Sequence, residues 1–268
     1  REDKRGQYFL TTHSPVVLRE LSVNELYIVH SKAGTVRVIP AFCEGLVANE
    51  AQGKIRSSAE AFLSKKVVIC EGATEVGFLR GFDDYQVGKG KDPFSYHGVS
   101  LLNAGGASKI KALADAFKLL GYEVCVLADG DAEKQFSPAH EAELRDKGIP
   151  VHVWTDKLSL EERAFQDLPW ASVIASVKLA QTVPSLTVYA NVRSKYQKEL
   201  SEDVGTWAES ADLRLAIGKA AKGCDWFKDI TRGDLWVQAI SPSFNDPDFL
   251  KKDIPVKLSK LWEWAEHV

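Results

Sequence analysis

Three apolar runs in this chain each stop at an acid or a glycine turn, and each is followed by a segment of helical length. KKVVIC stops at Glu71, VSLLN at Asn103-Ala104-Gly105-Gly106, and EVCVLA at Asp129-Gly130-Asp131. The runs are apolar almost throughout, so strands built from them have both faces buried. Between the second and third, ASKIKALADAFKLLGY places Ile110, Leu113, Phe117 and Leu120 on one helical face and stops at Gly121. ATEVGFLRGF after the first run and AHEAELRDKG after the third also read as helices, and IPVHVW as a further strand. Such alternation specifies an α/β fold: a mostly parallel sheet flanked by helices on both faces.

The flanking segments follow other rules. QYFLTT is a short β-prone run, and HSPVVLREL can start a helix with Ser14 as cap and Pro15 in the first turn. ELYIVHS and TVRVIP read as strands around the turn residues KAG, and a helix is expected near SSAEAFL. Beyond Thr155 the helical period takes over, in LSLEERAF, DLPWASVIASVKLAQ, SKYQKELSEDV and SADLRLAIGKAAKG. DWFKDITRGDLWVQAI reads as a return to the α/β unit, and LKKDIPVKLSKLWEWAEHV closes with an amphipathic helix.

Composition excludes several classes. A chain of 268 residues, 45% hydrophobic and 26% charged, suits one large globular domain or two modest ones. With 34 basic and 37 acidic residues the net charge is −3, so any polyanion site has to be a local basic surface. The cysteines, Cys43, Cys70, Cys125 and Cys224, form no CxxC pair, which argues against zinc and for a reducing compartment. No apolar run approaches the ~20 residues of a membrane helix, so a cytoplasmic location is expected.

In a parallel α/β sheet, ligands bind beyond the carboxyl ends of the strands. The acids that end the runs can therefore meet at one edge although they are far apart in sequence. Clustered carboxylates repel one another, and a divalent cation reverses that penalty. Oxygen ligands without nearby His or Cys suit Mg²⁺ or Mn²⁺. Gly72, Gly105, Gly106 and Gly130 allow backbone to approach closely, so that a phosphate can reach the ion. Each motif alone has an ordinary reading: an acid in a first helical turn favours the helix dipole, and DxD is often a solvated turn. Together, on successive strand ends, they point to a metal site.

E-x-x-x-E after a first strand, a glycine turn after a second and D-x-D after a third resemble a Toprim domain, over roughly Lys65 to Trp154. Topoisomerases of types IA and II, bacterial primases, some recombination proteins and OLD-family nucleases share that fold. The resemblance implies Mg²⁺-dependent chemistry on phosphodiesters. Glu71 would be a metal ligand or general base, Glu75, Asp129 and Asp131 acidic metal ligands, and Gly105 and Gly106 the place where phosphate approaches. Upstream, YFLTTHSPVVL resembles the last strand and switch-histidine loop of an ABC-type ATPase, with His13 at the switch position. TTHSP ahead of a Toprim domain resembles the OLD (overcoming lysogenization defect) family. The chain has no G-x-x-x-x-G-K-[ST] phosphate loop, so it is expected to be the C-terminal part of a longer ATPase-nuclease, with ATP used only by the full-length protein.

The same resemblance directs attention to later residues. Ser159 and Glu161 are candidate supplementary metal-site residues, with Glu162 the alternative; Ser159 and Glu162 fit a capping box equally well. Lys219 or Lys222, of which Lys222 is preferred because Gly223 follows it, would stabilise charge on the phosphate, or else belong to a solvated helix end. Lys178, Arg193, Lys195 and Lys198, with Tyr189 and Tyr196, form either a face for DNA phosphates or a solvated helix surface. The expected organisation is the end of an ABC-type ATPase domain (1–62), a Toprim core (63–156), a helical insertion (157–215) and a return to the core with a C-terminal helix (216–268). The expected function is a DNA endonuclease using two Mg²⁺ or Mn²⁺ ions, with DNA as partner, a homodimeric state and a part in phage defence. The alternatives are a topoisomerase or primase, for which a tyrosine domain or zinc motif is wanting, and a non-catalytic regulatory module that binds nucleic acid.

Overall fold

The computed structural model describes residues 6, 8–41 and 48–267. Helix α1 (Pro15–Glu20) starts as expected: the Ser14 hydroxyl accepts the Val17 N–H at 3.4 Å and Pro15 opens the first turn. Strands β1 (Tyr27–Lys32) and β2 (Thr35–Pro40) form an antiparallel hairpin in the register Tyr27↔Pro40 to Lys32↔Thr35. Its two-residue turn, Ala33-Gly34, has φ of 48° and 80°, the left-handed pair that matches strand twist. Helices α2 (Ala48–Ser57) and α3 (Ala59–Phe62) follow. The strand expected in QYFLTT does not form over residues 8–12, where Tyr8, Phe9 and Leu10 are exposed and no described strand lies alongside to complete a ladder. Gln7, Cys43 and the rest of 42–47 lie outside the described residues.

The alternating unit comes next: β3 (Lys66–Cys70), α4 (Ala73–Gly88), β4 (Val99–Asn103), α5 (Ile110–Leu119), β5 (Glu123–Ala128), α6 (Pro138–Asp146) and β6 (Val151–Val153). These strands form one parallel sheet in the order β4-β3-β5-β6. Successive strand residues face opposite sides. Val68, Cys70, Cys125 and Leu127 join one core, and Val67, Ile69, Val124 and Val126 the other. Full burial of each such aliphatic side chain contributes about 1.5–3 kcal/mol. Ile110, Leu113, Phe117 and Leu120 are all buried on the second side, and Gly121 turns the chain after α5 with φ of 91°. Leu18, Val23, Leu26, Ile55 and Phe62 fill the same side.

The first side is covered by α4 and by the helices of the C-terminal half: α7 (Leu160–Asp167), α8 (Trp170–Gln181), α9 (Val188–Tyr196), α10 (Ala211–Gly223), α11 (Ile230–Ile240) and α12 (Asp253–Glu266). Three expectations shift. α4 runs on through the polar residues to Gly88. α9 begins at Val188 and stops at Gln197, whose φ of 55° leaves the helical region, so KELSEDV adds no α-helix. The stretch DWFKDITRGDLWVQAI supplies only a helix, α11, and no strand. It returns to the core by packing on α4 backbone to backbone: a Cβ on Gly77 would lie 2.2 Å from the Ile230 carbonyl oxygen, and one on Gly233 2.7 Å from that of Thr74. Among the described residues no helix is long and apolar enough to cross a membrane.

Candidate metal centre

Strand pairing carries β3 one residue past its end and so places Glu71. Its N–H donates to the Leu127 carbonyl at 3.2 Å and its carbonyl accepts the Gly106 N–H at 2.9 Å, which ties together the ends of β5, β3 and β4. The Glu71 carboxylate turns towards β5 and accepts the Asp129 N–H at 3.1 Å. Glu75, in the first turn of α4, accepts the Gly72 N–H at 2.7 Å and is 4% exposed. That bond satisfies an orphan donor at the helix start and holds the side chain under the turn. Asp129 accepts the Leu160 N–H at 2.8 Å, which docks the start of α7 against the end of β5. Gly130 makes this approach possible: a Cβ there would lie 2.1 Å from the Trp154 carbonyl oxygen, and its N–H donates to Leu158 at 2.8 Å.

Docking α7 brings Glu161, 7% exposed, to the other acids. Burial pushes Glu75 up to about 8, with the charges of Glu161 and Glu71 adding to it. Asp129 is pushed well above the usual carboxylate range by burial and then by Glu75, Glu161 and Glu71. Burial also raises Glu71; the Asp129 N–H opposes this, the Glu161 charge adds to it and Lys222 opposes it. Glu161 is raised by burial, against the pull of its own N–H and the Ser159 hydroxyl. The Glu161 charge thus raises the other three, and Glu71 raises Glu75 and Asp129, as acids do that share a poorly solvated space.

Beside them lies an ion-paired group. Lys222, near the end of α10, donates to the Asp131 carboxylate and to Glu162 at 3.3 Å. Gly218, one turn earlier, lets α10 approach α7: a Cβ there would lie 3.0 Å from the Glu162 Cα. Ser159 and Glu162 form the capping box, the Ser159 hydroxyl accepting the Glu162 N–H and the Glu162 carboxylate accepting the Ser159 N–H, both at 3.3 Å. Lys219 is exposed and, among the described residues, makes no ion pair. His13 is exposed ahead of α1, likewise without hydrogen bond or ion pair among the described residues. Tyr189 and Tyr196 are half-buried against the core, and Tyr189 donates to the Leu200 carbonyl at 3.0 Å. Lys228 escapes sequence reasoning: it pairs with Asp225 at 2.9 Å, and Glu161 and Glu75 act on its charge. Nothing in KGCDWFKD marks it out as part of the site, because its link to the site runs through Glu75 of α4 and Glu161 of α7.

The donor set suits a hard divalent cation: carboxylate oxygens, no imidazole or thiolate, and mutual repulsion that a dication relieves. The spacing is not that of a closed ligand shell. Among the described residues no three acidic, His or Cys side chains stand close enough to hold one ion. The hydrogen bonds give a physical reason: Glu71, Glu75 and Asp129 each turn an oxygen onto a backbone N–H.

Residues 62–131, which contain this strand-end geometry, match the family described as Overcoming lysogenization defect protein-like, TOPRIM domain. This segment is an OLD-like Toprim domain. Toprim domains bind divalent metals in general, and the acids of this one occupy the ends of β3 and β5. No curated protein matches the chain. The C-terminal region of the Burkholderia pseudomallei OLD protein is similar at 14% identity, covering 69% of this chain and 98% of that one, with a TM-score of 0.37. The corresponding region of the Xanthomonas campestris pv. campestris OLD protein is similar at 15% identity, covering 72% and 97%, with a TM-score of 0.34.

Proposed function

We propose that the protein is a metal-dependent DNA endonuclease, and that this Toprim domain carries its active site. The observation that supports it most is the meeting of Glu71 and Asp129, at the ends of β3 and β5, with the buried Glu75 and Glu161, in the first turns of α4 and α7, beside the Lys222 ammonium. Glu71, Glu75, Asp129 and Asp131, with Glu161, would hold two Mg²⁺ or Mn²⁺ ions. When bound, such ions lower the pKa of water and polarise a phosphoryl oxygen.

The chain's own groups do the rest. Lys222 is held over the site by Asp131 and Glu162, and its ammonium is placed to offset charge building on a phosphate. The half-buried Glu71 is the acid suited to take a proton from an attacking water. Ser159 caps α7, the helix that carries Glu161. Gly105 and Gly106 keep the end of β4 free of side chains, so that a phosphodiester can come close. In the full chain, a preceding ABC-type ATPase containing His13 would gate cleavage with ATP, in a homodimer acting in phage defence.

Plasmid cleavage with Mg²⁺, Mn²⁺ or chelator tests the reading. Glu71→Ala and Asp129→Ala are expected to abolish metal-dependent nicking with the fold retained; undiminished cleavage by both refutes it. The absence of ligand spacing among the described residues favours a second reading, a non-catalytic module that binds nucleic acid. Calorimetry separates the two, since that module would take up neither Mn²⁺ nor Mg²⁺.

A further inference from the structure

Two grooves meet at Lys54. One, of about 630 Å³, follows the open edge of β4, with Arg80, Ser100 and Asn103 in its wall. The other, of about 310 Å³, lies over the start of α5 between Ser57, Ser108 and Lys109. Lys54 and Ser57 line both. Where they meet, the chain makes the Gly105-Gly106 turn, with φ of 80° and 118°. The Nζ atoms of Lys54 and Lys109 each stand 4.0 Å from the point that a Cβ on Gly105 would occupy. Two ammonium groups thus converge on one small space that the glycine leaves open.

Like charges do not converge without a cause, and part of it is visible. Lys54 donates to the Asn103 and Ala104 carbonyls at 2.7 and 2.8 Å, which anchors its head beside the turn. Lys109 and Arg80 are exposed, and among the described residues neither has an acidic partner within 4 Å. The acids in the larger groove are already engaged: Glu60 pairs with Arg19 at 2.6 Å, and Asp83 accepts the Phe94 N–H at 2.8 Å. On a protein of net charge −3, Lys109, Lys54 and Arg80 therefore make a local positive track. Its middle lies one strand from the first carboxylate, since Gly106 bonds to Glu71 and the Ala104 N–H to Cys70 at 2.8 Å.

We propose that Lys109, Lys54 and Arg80 bind successive phosphates of a nucleic-acid strand and lead its backbone over the Gly105-Gly106 turn to the carboxylates. This rests on the nuclease reading and adds the path of the substrate. Ammonium and guanidinium groups on an open groove recognise non-bridging phosphate oxygens without reading bases, so the track is sequence-tolerant. Serine hydroxyls at Ser57 and Ser108 add neutral donors along it.

Binding of fluorescein-labelled single-stranded and duplex oligonucleotides, measured in chelator over a range of KCl, tests the track apart from cleavage. Each lost phosphate contact lowers the slope of log K against log salt by about 0.7–0.9, so Lys109→Ala with Arg80→Ala should lower it by about 1.4–1.8. Lys109→Glu should weaken binding further. Lys109 and Arg80 are exposed, and unchanged melting temperatures will show that the fold is intact. A double variant with the wild-type slope and affinity overturns the proposal, as does a wild type that binds no oligonucleotide. Inorganic phosphate alone is titrated in parallel: if the variants lose phosphate binding but keep oligonucleotide binding, the site belongs to a small phosphate and the track is wrong. A wild type that binds with the expected slope yet never cleaves sinks the nuclease reading and supports the track.

Discussion

Glu75→Gln should stabilise the protein at neutral and alkaline pH and leave it unchanged in acid. Glu75 ionises near 8 in the fold, against an ordinary 4.5 for an exposed glutamate. Below pH 4.5 it is protonated in folded and unfolded chains alike and makes no difference to stability. As pH rises past 4.5 the unfolded chain loses the proton while the folded chain keeps it, so the fold is progressively penalised until about pH 8. At about 1.4 kcal/mol per pH unit, the penalty is about 3 kcal/mol at pH 7 and at most about 5 kcal/mol above pH 8. Glutamine removes the ionisation and keeps an oxygen for the Gly72 N–H, so little else changes. The variant should melt about 6–12 °C above the wild type at pH 7, taking 2–4 °C per kcal/mol for a chain of this size. The assay is thermal melting of both proteins from pH 4 to pH 9, in chelator and again with Mg²⁺ or Mn²⁺. A cation held by the acids favours their charged forms, so it should raise the wild type most where the penalty is largest. A variant less stable than the wild type at pH 8, or a difference equal at pH 4 and pH 8, refutes the electrostatic account.

Gly77→Ala should lower stability by about 3 kcal/mol, because the new Cβ meets the Ile230 carbonyl at 2.2 Å and forces α11 off α4. Gly88→Ala, at the end of the same helix with open space around it, is the control and should be neutral or slightly stabilising in denaturant melts. Ser159→Ala should cost about 1 kcal/mol, the usual worth of a cap, with the metal concentration needed for half-maximal cleavage unchanged. A steep rise in that requirement would instead assign the hydroxyl to an ion.

The placement of several of these acids was legible in the sequence. Glu71 and Asp129 stand at strand ends because the apolar runs ahead of them have to be buried strands, and Glu75 lies one turn into the helix that follows. The Ser14 cap and the one-faced α5 were legible for the same reason: each is a relation between residues within a few positions. The failures are equally physical. QYFLTT has strand propensity, but a strand forms only where a neighbour supplies its hydrogen bonds, and no described strand does so. The end of α9 depends on a left-handed Gln197, a residue with no strong preference for that region.

By itself the sequence determined local conformation and the buried face of each element, since periodicity and caps act over a few residues. Those constraints were enough to call for a parallel sheet with acids at its carboxyl edge. Only the tertiary structure decided which distant groups meet there. Lys222 rather than Lys219 reaches Asp131 across 91 residues, because Gly218 lets α10 approach α7. Glu161 joins the carboxylates because Gly130 admits the loop that leads into α7, and Lys54 stands over Gly105 because α2 packs beside the end of β4. Such contacts depend on how helices approach one another and on the space a missing Cβ leaves, and no periodicity in the chain records either.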